Sequence, residues 1–209
     1  MYFSKRDLIF SIITGLATGL IVWRILEFLD TPLFFNTPFY WLIIIVPIFW
    51  IWGVNLGYFL GRWFAFFNQF GKYAAIGFTN AAVDFGVLNL LIYFSDIAVG
   101  FWYSVFKGIS FLFAVVHSYI WNKYWAFEDR KSNGGRNEFA KFFIVTLIAF
   151  SINVGVASLV VNGIGPRFEL TKEAWANIGA IVGSAIALLF SFVGFRIFVF
   201  RSTQNDLRV

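Results

Sequence analysis

The chain has 209 residues, of which 60% are hydrophobic and 13% charged, and its formal net charge is +5. Soluble domains average about 25% charged residues, and a small domain leaves much of its surface in water, so the composition excludes an ordinary soluble domain. Its 30 phenylalanines also exclude a disordered chain. The basic excess is interpreted as lysines and arginines that flank membrane spans, and no nucleic-acid partner is expected.

Six apolar runs are each long enough to cross a bilayer, which takes about 20 residues. They are residues 8–29, 39–61, 70–94, 102–125, 139–162 and 174–200. With the N-terminus inside, 12 of the 16 lysines and arginines fall on the cytoplasmic side and 4 on the outer side. The predicted fold is therefore an all-α integral membrane protein with six transmembrane helices and both termini in the cytoplasm.

The last four spans contain an internal repeat. Segment 70–90 aligns without gaps to 139–159, and the pattern basic-x-aromatic-x-Phe occurs at 123–127 and again at 196–200. Since each copy holds two spans, the second copy keeps the topology of the first. This predicts a tandem parallel repeat about an axis along the membrane normal.

The domain boundaries follow from the repeat. Residues 1–67 form an added N-terminal two-helix hairpin, and residues 68–201 form a four-helix domain. Within that domain the first copy covers about 68–127 and the second about 137–201, and 202–209 is a cytoplasmic tail.

Glycines four residues apart lie on several predicted helices and allow close approach of helix backbones, within or between chains. A homo-oligomer is thus compatible with the sequence. The pairs are Gly15 and Gly19, Gly53 and Gly57, Gly57 and Gly61, and Gly179 and Gly183.

A polar stripe marks the third span. Asn80 and Asp84 share one helix face, and Asn153 occupies the position of Asp84 in the second copy. An ionised Asp in the bilayer costs several kcal/mol, so Asp84 should face the bundle interior or a water-filled cavity. It either lines a polar pathway or is hydrogen-bonded and only holds helices together.

The fourth span has a stripe of its own, with Lys107 toward the outer end and His117 toward the inner end. A single His is most often a hydrogen-bonded structural residue. The alternative is a pathway residue on the stripe of Lys107, separated from Asp84 by roughly 9 Å in depth, so that the two need not touch. At the outer end of the first span, Arg24 is expected to pair with Glu27.

Basic residues recur at the inner ends of the repeated spans: Lys72, Lys123 (after Asn122), Lys141 and Arg196. The ordinary interpretation is that these side chains snorkel to the lipid headgroups on the cytoplasmic side, as the positive-inside rule leads one to expect. The functional interpretation is a ring that binds an anionic lipid phosphate by charge-assisted hydrogen bonds.

Several chemistries are excluded. The chain has no cysteine and one histidine, so neither a thiolate site nor a His-based metal site within one chain is expected. No phosphate-binding ATP loop or nucleophile motif occurs. The acids of the polar stretch, Glu128, Asp129 and Glu138, have no partner for acid–base catalysis. We expect neither an enzyme nor a cofactor.

Three segments carry a family resemblance. The segment from Phe70 to Asp84, with Gly77 and Asn80, resembles the opening signature of the GtrA-like family. Residues 118–127 and 195–200 resemble the endings of its second and fourth spans. The resemblance covers about residues 68–201. The sequence departs from the pattern by its added hairpin and by Phe195, which stands where the first copy has Asn122.

The resemblance implies a four-span membrane protein that moves a polyprenyl-phosphate-linked monosaccharide across the cytoplasmic membrane, for transfer to cell-surface polysaccharide or teichoic acid. A separate membrane glycosyltransferase would make the substrate. On this hypothesis Lys72, Lys123, Lys141 and Arg196 bind the phosphate inside and Lys107 receives it outside. The sugar hydroxyls would meet a second set of side chains, namely Asn80, Asp84, His117, Asn122 and Asn153.

Two other functions compete with this hypothesis. The chain could be a non-transporting subunit that anchors the glycosyltransferase, in which case Asp84 would be dispensable. It could also be a small-solute exporter driven by protons through Asp84. The sugar, the energy source and the oligomeric state are not specified by the sequence.

Overall fold

The structure is a computed structural model that describes residues 2–29, 37–97, 100–128, 135–164 and 172–200. All regular secondary structure in these residues is helical, with no β-strand. The predicted tail, 202–209, lies outside them.

Six α-helices coincide with the six predicted spans. They are α1 (Lys5–Phe28), α2 (Leu42–Leu60), α3 (Phe67–Ser95), α4 (Gly100–Trp121), α5 (Arg136–Ser158) and α6 (Lys172–Gly194). A 3₁₀ turn, Phe39–Trp41, precedes α2. Three π-helical turns continue α4, α5 and α6; they are Asn122–Ala126, Leu159–Ile164 and Phe195–Val199.

Five of the described helical segments are long and apolar enough to cross a membrane. They are Lys5–Phe28, Phe39–Leu60, Phe67–Ser95, Arg136–Val156 and Ile181–Val199. The all-helical, multi-pass membrane class is thereby confirmed. The count of six spans, with α4 as the sixth, and the cytoplasmic termini stay predictions.

The described chain divides into two compact units, Met1–Glu128 and Asp129–Val209. In the first unit the N-terminal hairpin packs closely on α3. Thr79 of α3 is fully buried, its hydroxyl lies 3.0 Å from that of Thr18 in α1, and it accepts a 3.2 Å hydrogen bond from the indole of Trp50 in α2. One hydroxyl thus joins three helices, although the predicted domain boundary runs between 67 and 68.

Glycines of α1 permit the close approach of α2, as their spacing predicts. A methyl group on Gly15 would lie 2.5 Å from the Cα of Pro47, and one on Gly19 would collide with the carbonyl oxygen of Leu42. Gly57 likewise faces α3, where an added Cβ would lie 2.8 Å from the carbonyl oxygen of Phe67. These glycines therefore pack helices within the chain.

We expect Gly19→Ala to destabilise the protein by about 1–3 kcal/mol, because the added methyl meets backbone that cannot turn aside. Gly53→Ala is the matched control, since nothing lies within 4 Å of its added Cβ and alanine favours a helix. Thermal unfolding in detergent measures both. Equal midpoints for the two variants would contradict the packing role of Gly19.

The internal repeat is visible in the geometry of each unit. The π-turns at Asn122–Ala126 and Phe195–Val199 are equivalent in the repeat, and each closes with one hydrogen bond, Phe127 N to Asn122 O at 2.9 Å and Phe200 N to Phe195 O at 2.8 Å. The rings of Tyr73 and Phe127 lie 6.2 Å apart, and so do those of their mates, Phe142 and Phe200. Equivalent sequences thus form equivalent helix ends.

Candidate functional site

A buried ion cluster occupies the end of the first unit at which α1 and α3 begin. Lys72 is only 3% exposed. Its Nζ lies 3.0 Å from Asp7 Oδ1 and 2.7 Å from Glu128 Oε1, and 5.4 Å from the centroid of the Tyr58 ring. A buried ammonium group is tolerated only with such partners. Lys72 is therefore held in place by the added hairpin and by the segment after α4.

Asp7 is the centre of this cluster. It lies in the first turn of α1, where Ser4 caps the helix and donates to Asp7 Oδ2 from both its backbone nitrogen, at 3.0 Å, and its hydroxyl, at 2.7 Å. Tyr58 donates to the same oxygen, and the indole of Trp125 donates to Oδ1, both at 3.0 Å. Asp7 is 2% exposed, so its charge is neutralised and both oxygens are hydrogen-bonded.

Glu128 is the outer member of the cluster. Its side chain is 45% exposed, and its backbone has φ of 52°, a left-handed conformation that is uncommon for residues other than glycine. The sequence analysis expected no acid–base partner for Glu128 and did not consider an ion pair. Lys72 is far away in sequence, and the folded chain brings the two together.

The π-turn after α4 carries a second buried cation. Lys123 is 2% exposed, and its Nζ lies 5.9 Å from the ring centroids of both Tyr119 and Tyr124. Asn122 is also buried, and its amide nitrogen donates to Ser118, while its Oδ1 has no hydrogen-bond partner in the described part of the chain. In a π-turn each backbone hydrogen bond spans five residues instead of four. This turn places the polar side chains of Asn122 and Lys123 among aromatic ones.

The polar stripes of α3 and α4 meet further along the helices. Ser110 donates a 2.6 Å hydrogen bond to Asp84 Oδ1, and both lie in the helix pair that also carries Asn80 and His117. Asn80 Oδ1 and His117 Nδ1 are buried atoms without a partner among the described residues. His117 follows Ser110 by seven residues, roughly 10 Å along α4 at 1.5 Å per residue. Ser110 is thus one residue of α4 that bonds to Asp84.

The predicted site residues of the second unit have a different setting. Lys141 is exposed, and Arg196 is half-buried. Asn153 Nδ2 lies 3.4 Å from Ser184 Oγ, a weak bond between α5 and α6. Lys107 lies in α4, but its side chain is outside the described part of the structure. The predicted residues of the first unit, Lys72, Lys123, Asn80, Asp84, His117 and Asn122, all lie on the α3–α4 hairpin.

The second unit has a stacked pair of phenylalanine rings at the helix end where the first unit has the polar Asn122. Phe195, the mate of Asn122, stacks on Phe142 with ring centroids 4.3 Å apart and an interplanar angle of 14°. Both are nearly inaccessible to solvent. At the position where the first copy has the polar Asn122, the second copy therefore has an apolar ring contact.

Sequence reasoning missed Asp7, Tyr58 and Trp125 as members of the cluster. One signal was present, because Ser4 and Asp7 form the spacing of a helix capping box before an apolar run. That signal predicts where α1 begins. It does not predict burial, which arises from residues 51 and 118 positions away.

Comparison with known proteins gives two matches. The GtrA/DPMS transmembrane domain matches residues 72–200. The chain is also similar to a protein of Bacillus subtilis (strain 168) described as an uncharacterized membrane protein, YngA, with 28% identity over 138 residues, which are 66% of this chain and 83% of that protein. No solved structure matches. The family match begins at Lys72, so Asp7 and Tyr58 lie outside that match.

Proposed function

The chain belongs to the GtrA/DPMS transmembrane-domain family, a family of membrane proteins tied to the handling of lipid-linked sugars, and from this premise we propose that it flips a polyprenyl-phosphate-linked monosaccharide. The movement runs from the cytoplasmic to the outer leaflet of the cytoplasmic membrane. The protein then acts as a translocase without catalysis. A membrane glycosyltransferase supplies the substrate, and outer-face enzymes use it.

One observation carries the proposal: a helix hairpin with two buried cations at one end continues into a polar stripe. Lys72 and Lys123 are 3% and 2% exposed, and Asn80, Asp84 and His117 follow along α3 and α4. Charged groups inside a membrane protein are costly, and they mark substrate or ion pathways. An amphiphile with an anionic linker and a polyhydroxylated head fits this order of side chains.

The roles follow from the chemistry of each group. The lysines bind the phosphodiester by charge-assisted hydrogen bonds. Asn80 Oδ1 and His117 Nδ1 have no hydrogen-bond partner among the described residues. As the head moves along the stripe, Asn80 Oδ1 accepts hydrogen bonds from sugar hydroxyls, and His117 Nδ1 accepts or donates one. The lipid tail stays in the bilayer, so only the polar head needs a path. In this scheme Lys107, at the other end of α4, receives the phosphate.

The second copy plays a supporting role in this scheme. Lys141 and Arg196 attract anionic headgroups at the membrane surface, while Asn153 hydrogen-bonds between α5 and α6. Because the Phe142–Phe195 stack closes the helix end of this copy, the substrate head enters along the first copy. Membrane lipid is the other partner of both copies of the repeat.

The test is flipping in reconstituted vesicles. Purified protein is placed in liposomes with a fluorescent polyprenyl-phosphate sugar, and the label in the outer leaflet is quenched chemically. In protein-free vesicles only the half of the label in the outer leaflet should be quenched. In vesicles that contain the protein we expect more than half of the label to be quenched. No movement with correctly inserted protein would contradict the proposal, and copurification with a glycosyltransferase would then favour the anchoring subunit.

A further inference from the structure

We propose that the Glu128 carboxylate occupies the position of the substrate phosphate on Lys72, and that the arriving phosphodiester displaces it while Asp7 stays in place. This inference rests on the proposed function. It assigns the two acids of the cluster different tasks: Asp7 fixes Lys72, and Glu128 competes for it.

The two acids differ in how firmly they are held. Asp7 is 2% exposed and accepts hydrogen bonds from Ser4, Tyr58 and Trp125 in addition to its ion pair with Lys72. Removing its carboxylate would strand all these donors. Glu128 bonds to Lys72 through Oε1, and its side chain is 45% exposed. It can therefore move into water at little cost in lost hydrogen bonds.

Charge balance favours the same division of tasks. Asp7 and Lys72 form a neutral buried pair, so the departure of Glu128 leaves no buried charge without a partner. A phosphodiester carries one negative charge, as the carboxylate does. The exchange thus keeps the net charge of the cluster unchanged and replaces one anion by another on the same ammonium group.

The backbone at Glu128 also suits a residue that moves. A left-handed φ of 52° is strained for a glutamate, so release of its carboxylate frees this residue to relax. Glu128 comes directly after the π-turn and Phe127, so it lies at the end of the helical segment and not within it.

The experiment compares phosphate binding by the wild type and by Glu128→Gln, with the full chain purified in detergent. The probe is farnesyl methyl phosphate, a phosphodiester with one charge. We expect Glu128→Gln to bind it about 5- to 50-fold more tightly, because the competing charge is gone while the size of the side chain is kept. Farnesol and inorganic phosphate are titrated in parallel to separate the lipid-linked from the free phosphate.

Glu27→Gln is the matched control. Glu27 is 44% exposed and bonds to Arg24 at 2.6 Å, much as Glu128 bonds to Lys72, but it lies at the other end of α1. Its replacement should leave the affinity within about twofold. An equal gain with inorganic phosphate would support the exchange on Lys72 and identify the ligand as phosphate in general.

Two results would overturn the inference, and they are distinguishable. If the wild type binds the probe and Glu128→Gln binds it equally or more weakly, Glu128 does not compete, and the proposed function survives. If neither protein binds the probe or inorganic phosphate, the phosphate site itself is wrong, and the proposed function falls with it.

Discussion

Replacing Asp7 by alanine is expected to cost about 3–5 kcal/mol of folding stability, because it removes the buried counterion of the Lys72 ammonium group. Lys72 is 3% exposed, and Asp7 is 2% exposed. Glu128 remains as a partner of Lys72, but the donors of Tyr58 and Trp125 lose their acceptor. Thermal unfolding and the yield of monodisperse protein in detergent measure the effect.

A double replacement distinguishes charge from packing. In Asp7→Ala with Lys72→Met, both buried charges are absent, and replacing a buried ion pair by apolar groups is often nearly neutral. We therefore expect the double variant to recover much of the stability lost by Asp7→Ala. The surface pair of Arg24 and Glu27 is the reference, since Glu27→Ala should cost no more than about 1 kcal/mol. Equal losses for Asp7→Ala and Glu27→Ala would show that the cluster is not a stabilising contact.

The membrane helices could be predicted because lipid imposes a length and an apolar composition on each span. All six predicted runs coincide with helices, and the pair of Arg24 and Glu27 is confirmed at 2.6 Å. The π-turns could not be predicted, because the change from α-helical to π-helical hydrogen bonding does not alter the hydropathy of the sequence. The repeat nevertheless aligned 123–127 with 196–200, and both segments overlap π-turns at equivalent positions.

The cluster around Asp7 could not be predicted because it depends on pairs of residues far apart in the chain. Asp7 and Trp125 are 118 positions apart, and no local pattern indicates which acid meets which base in a membrane bundle. The sequence predicted Lys72 as a phosphate ligand and considered no acid near it. The structure places two carboxylates on that lysine, so any phosphate must share or replace a partner.

Replacing Asp84 by alanine is expected to slow flipping by about 10- to 100-fold while the protein still inserts and folds. A hydrogen bond to a charged group contributes about 1.5–3 kcal/mol, and each 1.4 kcal/mol changes an equilibrium tenfold. Asp84 is half-buried and accepts a 2.6 Å bond from Ser110. In the proposed function its carboxylate also bonds sugar hydroxyls as the head passes.

Three variants separate the roles of Asp84. Asp84→Asn keeps hydrogen bonding but cannot ionise, so a loss as large as that of Asp84→Ala would show that the ionisable carboxylate is required. Ser110→Ala removes the hydrogen bond from Ser110 and keeps the Asp84 carboxylate, and flipping should then fall by less than in Asp84→Ala. Asn89→Ala is the matched control on the same helix, because its amide bonds only to its own helix at Phe85 O among the described contacts. Wild-type flipping by folded Asp84→Ala protein would leave Asp84 a structural residue and place the substrate path elsewhere.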